Sequence, residues 1–271
     1  MQNPGISISM FVNKHTISYF DEGSENAPVI IFIHGFPFNK SMWIKQAEAL
    51  KENARVIAYD VRGHGDTDSG TQDFSIELFV QDLISLLDKL KIEKAILCGL
   101  SMGGYIALNA VENHPERFSA LVLCDSNCIA DTPDAKEKRM KAIENIRDNG
   151  VKNYVDESIE YLLAAENFTT KPGLVDEIRT MMVNTAWQTL VNTLQALSTR
   201  KETCSKLPEI RIPVLIIVGK EDIVTPPEAA QFIHEKIKGS LLSILPHAGH
   251  LSNLENPDKF NEILKKFIAS V

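Results

Sequence analysis

Ala95-Ile96-Leu97-Cys98-Gly99-Leu100-Ser101-Met102-Gly103-Gly104 joins a short apolar run to a helical apolar pattern through the sequence G-x-S-x-G. A strand before and a helix after make this stretch a sharp strand-to-helix turn, with the serine hydroxyl projecting above a sheet. Such a turn is so tight that only small residues fit two positions before and two after the serine, and Gly99 and Gly103 stand there. The helix predicted from Met102 to about His114 aims its N-terminal N–H groups and positive dipole end at the place where an oxyanion would form.

Outward from this turn, runs rich in Val, Ile and Leu recur at Val29–Ile33, Arg55–Tyr59, Ala95–Cys98, Ala120–Cys124, Val214–Val218 and Leu241–Leu245. Helix-period segments alternate with most of them: Ser41–Glu52, Ile76–Lys91, Met102–His114, Glu228–Lys238 and Pro257 to about Ala269, the last opened by an Asn256 cap and Pro257. Ile6–Val12 and Thr16–Phe20, parted by Asn13-Lys14, read as an edge hairpin. The alternation predicts an α/β fold with a mostly parallel, doubly covered sheet. Residues 127–206 break it, being helical, rich in charge and without a convincing strand. They read as a helical lid between a first core part, 1–126, and a second, 207–271. Within the lid, Lys136–Arg147 and Asp176–Thr199 carry apolar residues at helical spacing, and Thr169–Gly173 gives a loop signal.

A serine hydroxyl becomes nucleophilic when a histidine takes its proton, and that histidine needs a carboxylate to hold its tautomer. Asp222 follows Val214–Val218 through Gly219-Lys220-Glu221, and His250 follows Leu241–Leu245 through Pro246-His247-Ala248-Gly249. Both sit just beyond a strand, where open α/β sheets bind ligands. Asp125, also just past a strand, is a rival acid or a cap for the lid's first turn. His247 competes with His250 by proximity but lacks the Ala-Gly approach. After Val29–Ile33, the turn His34-Gly35-Phe36-Pro37 can aim the Phe36 N–H at the oxyanion, with the Met102 N–H as second donor.

These pieces, with Tyr59-Asp60-x-Arg62-Gly63-His64-Gly65, resemble the α/β-hydrolase superfamily along nearly the whole chain. The elbow G-L-S-M-G-G, the strand Leu121–Asp125 with Thr132-Pro133 opening the lid, and Gly219–Pro227 resemble its 3-oxoadipate enol-lactonase and carboxylesterase branch. The resemblance implies hydrolysis of a small ester or lactone through an acyl-enzyme, without metal or organic cofactor, by Ser101, His250 and Asp222. Serine at 101 counts against the dehalogenases and epoxide hydrolases of this fold, which place an aspartate there. The same triad also serves carbon–carbon hydrolases, amidases and perhydrolases, and a slow-turnover ligand receptor is a reading from another class.

The remaining polar and aromatic candidates carry two readings each. His34 reads as a catalytic base or, as an imidazole in this turn more often does, as a residue that hydrogen-bonds neighbouring backbone and shapes the oxyanion turn. Asp60, Arg62 and His64 form a loop-fixing network in which Arg62 and Asp60 satisfy each other or backbone groups. Phe36, Met102, Phe38, Trp43, Trp187, Met181 and Met182 line an acyl pocket or are core, with Phe38, Trp43 and Trp187 the pocket candidates.

The 271 residues, 44% of them hydrophobic, suffice for one substantial core. A net charge of −8 argues against a nucleic-acid partner. Met1–Gly5 shows no basic signal-peptide start, and no run reaches membrane-spanning length. Cys98, Cys124, Cys128 and Cys204 lack metal-site spacing and read as reduced residues of a cytoplasmic protein. Monomer and homodimer are equally compatible with the sequence.

Overall fold

The structure, a computed structural model, describes residues 6–271; the Met1–Gly5 segment lies outside them. Eight strands, β1 (Ile8–Val12), β2 (His15–Glu22), β3 (Val29–Ile33), β4 (Arg55–Tyr59), β5 (Ala95–Leu100), β6 (Phe118–Cys124), β7 (Val214–Gly219) and β8 (Leu241–Leu245), form one sheet in the order β1-β2-β4-β3-β5-β6-β7-β8. β1 with β2 and β2 with β4 pair antiparallel, and every other pair is parallel. Asn13 and Lys14 close the first hairpin, both at positive φ, the backbone hand that matches strand twist in a two-residue turn.

Strand periodicity divides the core in two. Ile31, Ile33, Ile57, Leu97, Leu121, Leu123, Ile216 and Val218 face one layer; Ile30, Phe32, Val56, Ile96, Val122, Leu215 and Ile217 face the other. Burial on both faces is why these strands read as continuous apolar runs. The helices are α1 (Ile44–Leu50), α2 (Ile76–Lys89), α3 (Met102–Asn113), α4 (Pro133–Ser158), α5 (Asn167–Thr170), α6 (Pro172–Val183), α7 (Trp187–Thr199), α8 (Pro227–Lys236), α9 (Ser252–Glu255) and α10 (Pro257–Ile268). α2, α3 and α8 pack on the first face, α1 and α10 on the second. α4 to α7 lie between β6 and β7, with α4 broken at Gly150, and α4 packs on α7 through Ile143, Ile146, Leu190, Val191 and Leu194. Thr185 Oγ1 and Thr189 Oγ1 donate to the Pro37 and Gly63 carbonyls, docking this insertion on the core loops.

Three local expectations change. The Ser41–Glu52 helix is a 3₁₀ turn, Lys40–Trp43, followed by the short α1. The Thr169–Gly173 loop shrinks to Lys171, because Pro172 starts α6 at the position where its missing N–H costs nothing. Asp176–Thr199 is divided between α6 and α7.

The cysteines need a larger correction. Cys128 and Cys204 form a disulfide across 76 residues, and only Cys98 and Cys124 are free and buried. The bond unites the two ends of the insertion, a pairing made by tertiary structure and invisible in spacing. It removes half of the argument for a reducing compartment. Among the described residues, no helix is long and apolar enough to cross a membrane.

Candidate active site

Ser101 sits between β5 and α3 with φ 53° and ψ −112°, a left-handed conformation rare for a residue with a side chain. The turn is forced by crowding: a Cβ on Gly99 would stand 2.1 Å from the Gly103 carbonyl oxygen, and one on Gly103 2.2 Å from that of Ile33. The strain holds the hydroxyl above the sheet.

His250 and Asp222 reach Ser101 from the ends of β8 and β7. His250 Nε2 lies 2.9 Å from Ser101 Oγ, and its Nδ1 lies 2.8 Å from Asp222 Oδ2. The Nδ1 contact with a carboxylate assigns the proton to Nδ1 and leaves Nε2 free to accept from the serine. Asp222 is fixed in turn by the N–H groups of Val224 and Thr225 on Oδ1 and by the Thr225 hydroxyl on Oδ2. Burial opposes charge on both partners. The attraction between them prevails, lowering Asp222 below the ordinary carboxylate value and raising His250 above the ordinary imidazole value.

Asp125, the rival acid, is fully buried and faces elsewhere: its Oδ1 accepts from the Gly219 N–H at 2.8 Å and its Oδ2 from the Ser252 hydroxyl. Burial, reinforced by the Asp222 charge, pushes its carboxyl well above the usual range. His247 is exposed and pairs with Glu166. Glu221 Oε2 accepts from the Ala248 N–H.

His34 Nε2 accepts from the Val61 N–H at 2.9 Å while Nδ1 donates to the Gly35 carbonyl at 2.8 Å, holding the turn that carries Phe36. Burial lowers His34 to about 4 and His64 to about 3, so both stay neutral. Met102 is the first residue of α3, so its N–H lies ahead of the helix's own acceptors. Of the two expectations for Arg62 and Asp60, the mutual pairing does not form, while backbone groups do satisfy part of Asp60. Arg62 makes a bidentate pair with Asp82 of α2 at 2.6 and 2.8 Å, while Asp60 takes Lys40 Nζ at 2.7 Å and the N–H groups of Lys40 and Asp66. The side-chain partners that Arg62 and Asp60 do take, Asp82 and Lys40, both lie outside the motif that suggested the pairing.

A cavity of about 160 Å³ opens at Ser101 and His250, lined among others by Phe36, Met102, Arg139, Tyr154 and Met182. Arg139 is tied to Asp131, which also takes Arg200. Phe38 and Trp43, candidates for this lining, are instead core. Trp43 packs 4.6 Å from Phe32 and 6.1 Å from Phe260, ring centroid to centroid, because the 3₁₀ turn points it away from the cavity. Trp187 begins α7 half-exposed outside the lining. Met181 is buried in the same apolar layer as Met182 but does not line the cavity. A larger groove of about 550 Å³ between α3 and the Cys204–Glu209 turn has no nucleophile–base pair in its lining. Sequence reasoning missed Arg139, Tyr154 and Thr225; the first two were hidden because helical periodicity does not say which face of α4 looks inward.

A profile of the family described as "alpha/beta hydrolase fold" matches residues 28–257. The chain is 32% identical over 264 residues, 97% of both chains, to 3-oxoadipate enol-lactonase 1 of Acinetobacter baylyi. Among solved structures it is similar to a thermophilic esterase from Thermogutta terrifontis, with a TM-score of 0.93 and 28% identity over 98% of this chain and 99% of that one. It is also similar to the enol-lactonase from Burkholderia xenovorans, with a TM-score of 0.90 and 28% identity over 97% and 100%.

Proposed function

The chain belongs to the α/β hydrolase fold family, and from that premise we propose that it is a serine hydrolase cleaving a small carboxylic ester or lactone through an acyl-enzyme. The observation that carries the reading is the continuous chain Ser101 Oγ, His250 Nε2, His250 Nδ1, Asp222 Oδ2, with steps of 2.9 and 2.8 Å. In this mechanism Ser101 Oγ attacks the acyl carbon as its proton passes to His250 Nε2, and Asp222 stabilises the imidazolium. The oxyanion is met by the N–H groups of Phe36 and Met102. Its collapse expels the alcohol oxygen, which takes the proton from His250; for a lactone the freed hydroxyl stays attached to the acyl group. Water, deprotonated by His250, then releases the acid and restores Ser101.

Residues 127–206 serve as the lid, with Arg139, Tyr154 and Met182 facing the acyl cavity. The enol-lactonase and esterase relatives support this substrate class. Free, buried Cys98 and Cys124 are what remains in favour of a cytoplasmic location. Initial rates on short to long acyl esters and an enol-lactone, for wild type and Ser101→Ala, test the reading. Turnover that vanishes in the variant supports it, and equal rates for the two proteins overturn it.

A further inference from the structure

Glu255, the last residue of α9, is 1% exposed, and its carboxylate is held by four N–H donors and no cation among the described residues. A glutamate is rarely buried without such compensation. Oε1 accepts from Gly249 N at 2.8 Å and Leu251 N at 3.3 Å, the residues on either side of His250. Oε2 accepts from Ala164 N at 2.7 Å and Asn167 Nδ2 at 2.6 Å, both in the helical insertion. The N–H of His250 itself donates to the Leu162 carbonyl at 3.0 Å. Three consecutive backbone N–H groups centred on His250 are thus all committed, one to the insertion directly and two to a carboxylate that the insertion also grips. The contact is backbone against backbone. A Cβ on Gly249 would stand 2.7 Å from Ala164 N and 2.8 Å from the Leu163 carbonyl carbon. Lys171 Nζ reaches the Glu255 main-chain carbonyl, adding a third tie from the same segment.

We propose that Glu255 is the positioning residue for His250, setting the reach of its imidazole to Ser101 by clamping the His250 loop to residues 162–167 of the insertion. The proposal rests on the reading of Ser101, His250 and Asp222 as the triad. A carboxylate suits the role because both oxygens accept and charge strengthens each bond. An amide of the same shape would present a donor to one of the two donor pairs.

The test is labelling with a fluorophosphonate, which phosphonylates an activated serine oxygen and releases fluoride, so it reports the Ser101–His250 pair without a known substrate. In Glu255→Gln the second-order rate constant is expected to fall ~10–100-fold, the cost of misplacing a catalytic group by about an ångström, while the fraction labelled at completion stays near wild type. A merely structural role would do the reverse, lowering the labelled fraction and leaving the rate constant of folded molecules unchanged, and that result overturns the proposal. Should Glu255→Gln fail to fold, Asn167→Ala decides: removing this single donor is expected to slow labelling severalfold, and a wild-type rate overturns the proposal. Wild type that fails to label takes down the triad reading and this proposal together; wild type that labels beside an unaffected variant rejects the clamp alone.

Discussion

Asp222 and Asp125 follow neighbouring parallel strands, yet only Asp222 meets His250 Nδ1, at 2.8 Å, while Asp125 turns to the Gly219 N–H and the Ser252 hydroxyl. Asp222→Asn should favour the wrong imidazole tautomer and cost on the order of 10⁴ in kcat. Asp125→Asn keeps an acceptor for Gly219 and turns its amide N–H₂ to the Ser252 oxygen, which can accept in place of donating, so its kcat should fall less than tenfold. Steady-state rates on the best ester of the panel compare the two; a larger loss in Asp125→Asn would exchange their roles.

The pH profile follows from the direction of the His250 shift. In the proposed mechanism catalysis needs the neutral imidazole, and although burial lowers the folded pKa, the charge and hydrogen bond of Asp222 together with the neighbouring carboxylates raise it above the ordinary value near 6.5. kcat/KM should therefore be halved at a pH above 6.5 and keep falling as the pH drops. An acid limb below 6.5 would contradict the electrostatics.

Stability on acidification has a different origin. His34 at about 4 and His64 at about 3 lie below the unfolded value near 6.5, so below that pH the unfolded chain binds more protons. The contribution of these two histidines to folding stability is complete above about pH 6.5. It should decline by roughly 2 kcal/mol for each histidine by pH 5. Urea unfolding at pH 7 and pH 5 measures the loss, and His64→Gln should remove about half of it.

The Cys128–Cys204 bond closes a loop of 76 residues. Replacing both cysteines with serine should cost about 2–4 kcal/mol and lower Tm by about 5–15 °C. Thermal melts with and without a reductant check this: reduction should lower the wild-type Tm and leave that of the double variant in place.

The central strands were legible because both of their faces are buried, which writes an uninterrupted apolar run into the chain. That Ser101, Asp222 and His250 meet was legible because the first two follow such runs and His250 follows the apolar edge strand β8 at the same end of the sheet. What the sequence hid depends on side-chain direction and distant partners. Phe38 and Trp43 stand near the oxyanion turn in sequence, but the 3₁₀ turn sends Trp43 into the layer beneath α10. Arg62 finds Asp82 twenty residues on, across a loop that no local pattern describes. Glu255 carries no motif of its own and only precedes the Asn256-Pro257 helix start; its spacing of five from His250 is the one trace of its contacts.

The disulfide holds the two feet of the insertion 4.9 Å apart, Cα to Cα. From the side of the sheet, everything between those feet is a cassette that recombination could exchange without disturbing a single strand. Yet the exchange is not free. Any replacement must bring a carbonyl where Leu162 offers one and donors where Ala164 and Asn167 stand, or the new chimera inherits an intact scaffold with a misaimed base. On this geometry an exchange confined to the insertion's outer helices leaves the histidine loop's contacts in place, whereas one that replaces the 162–167 strip does not.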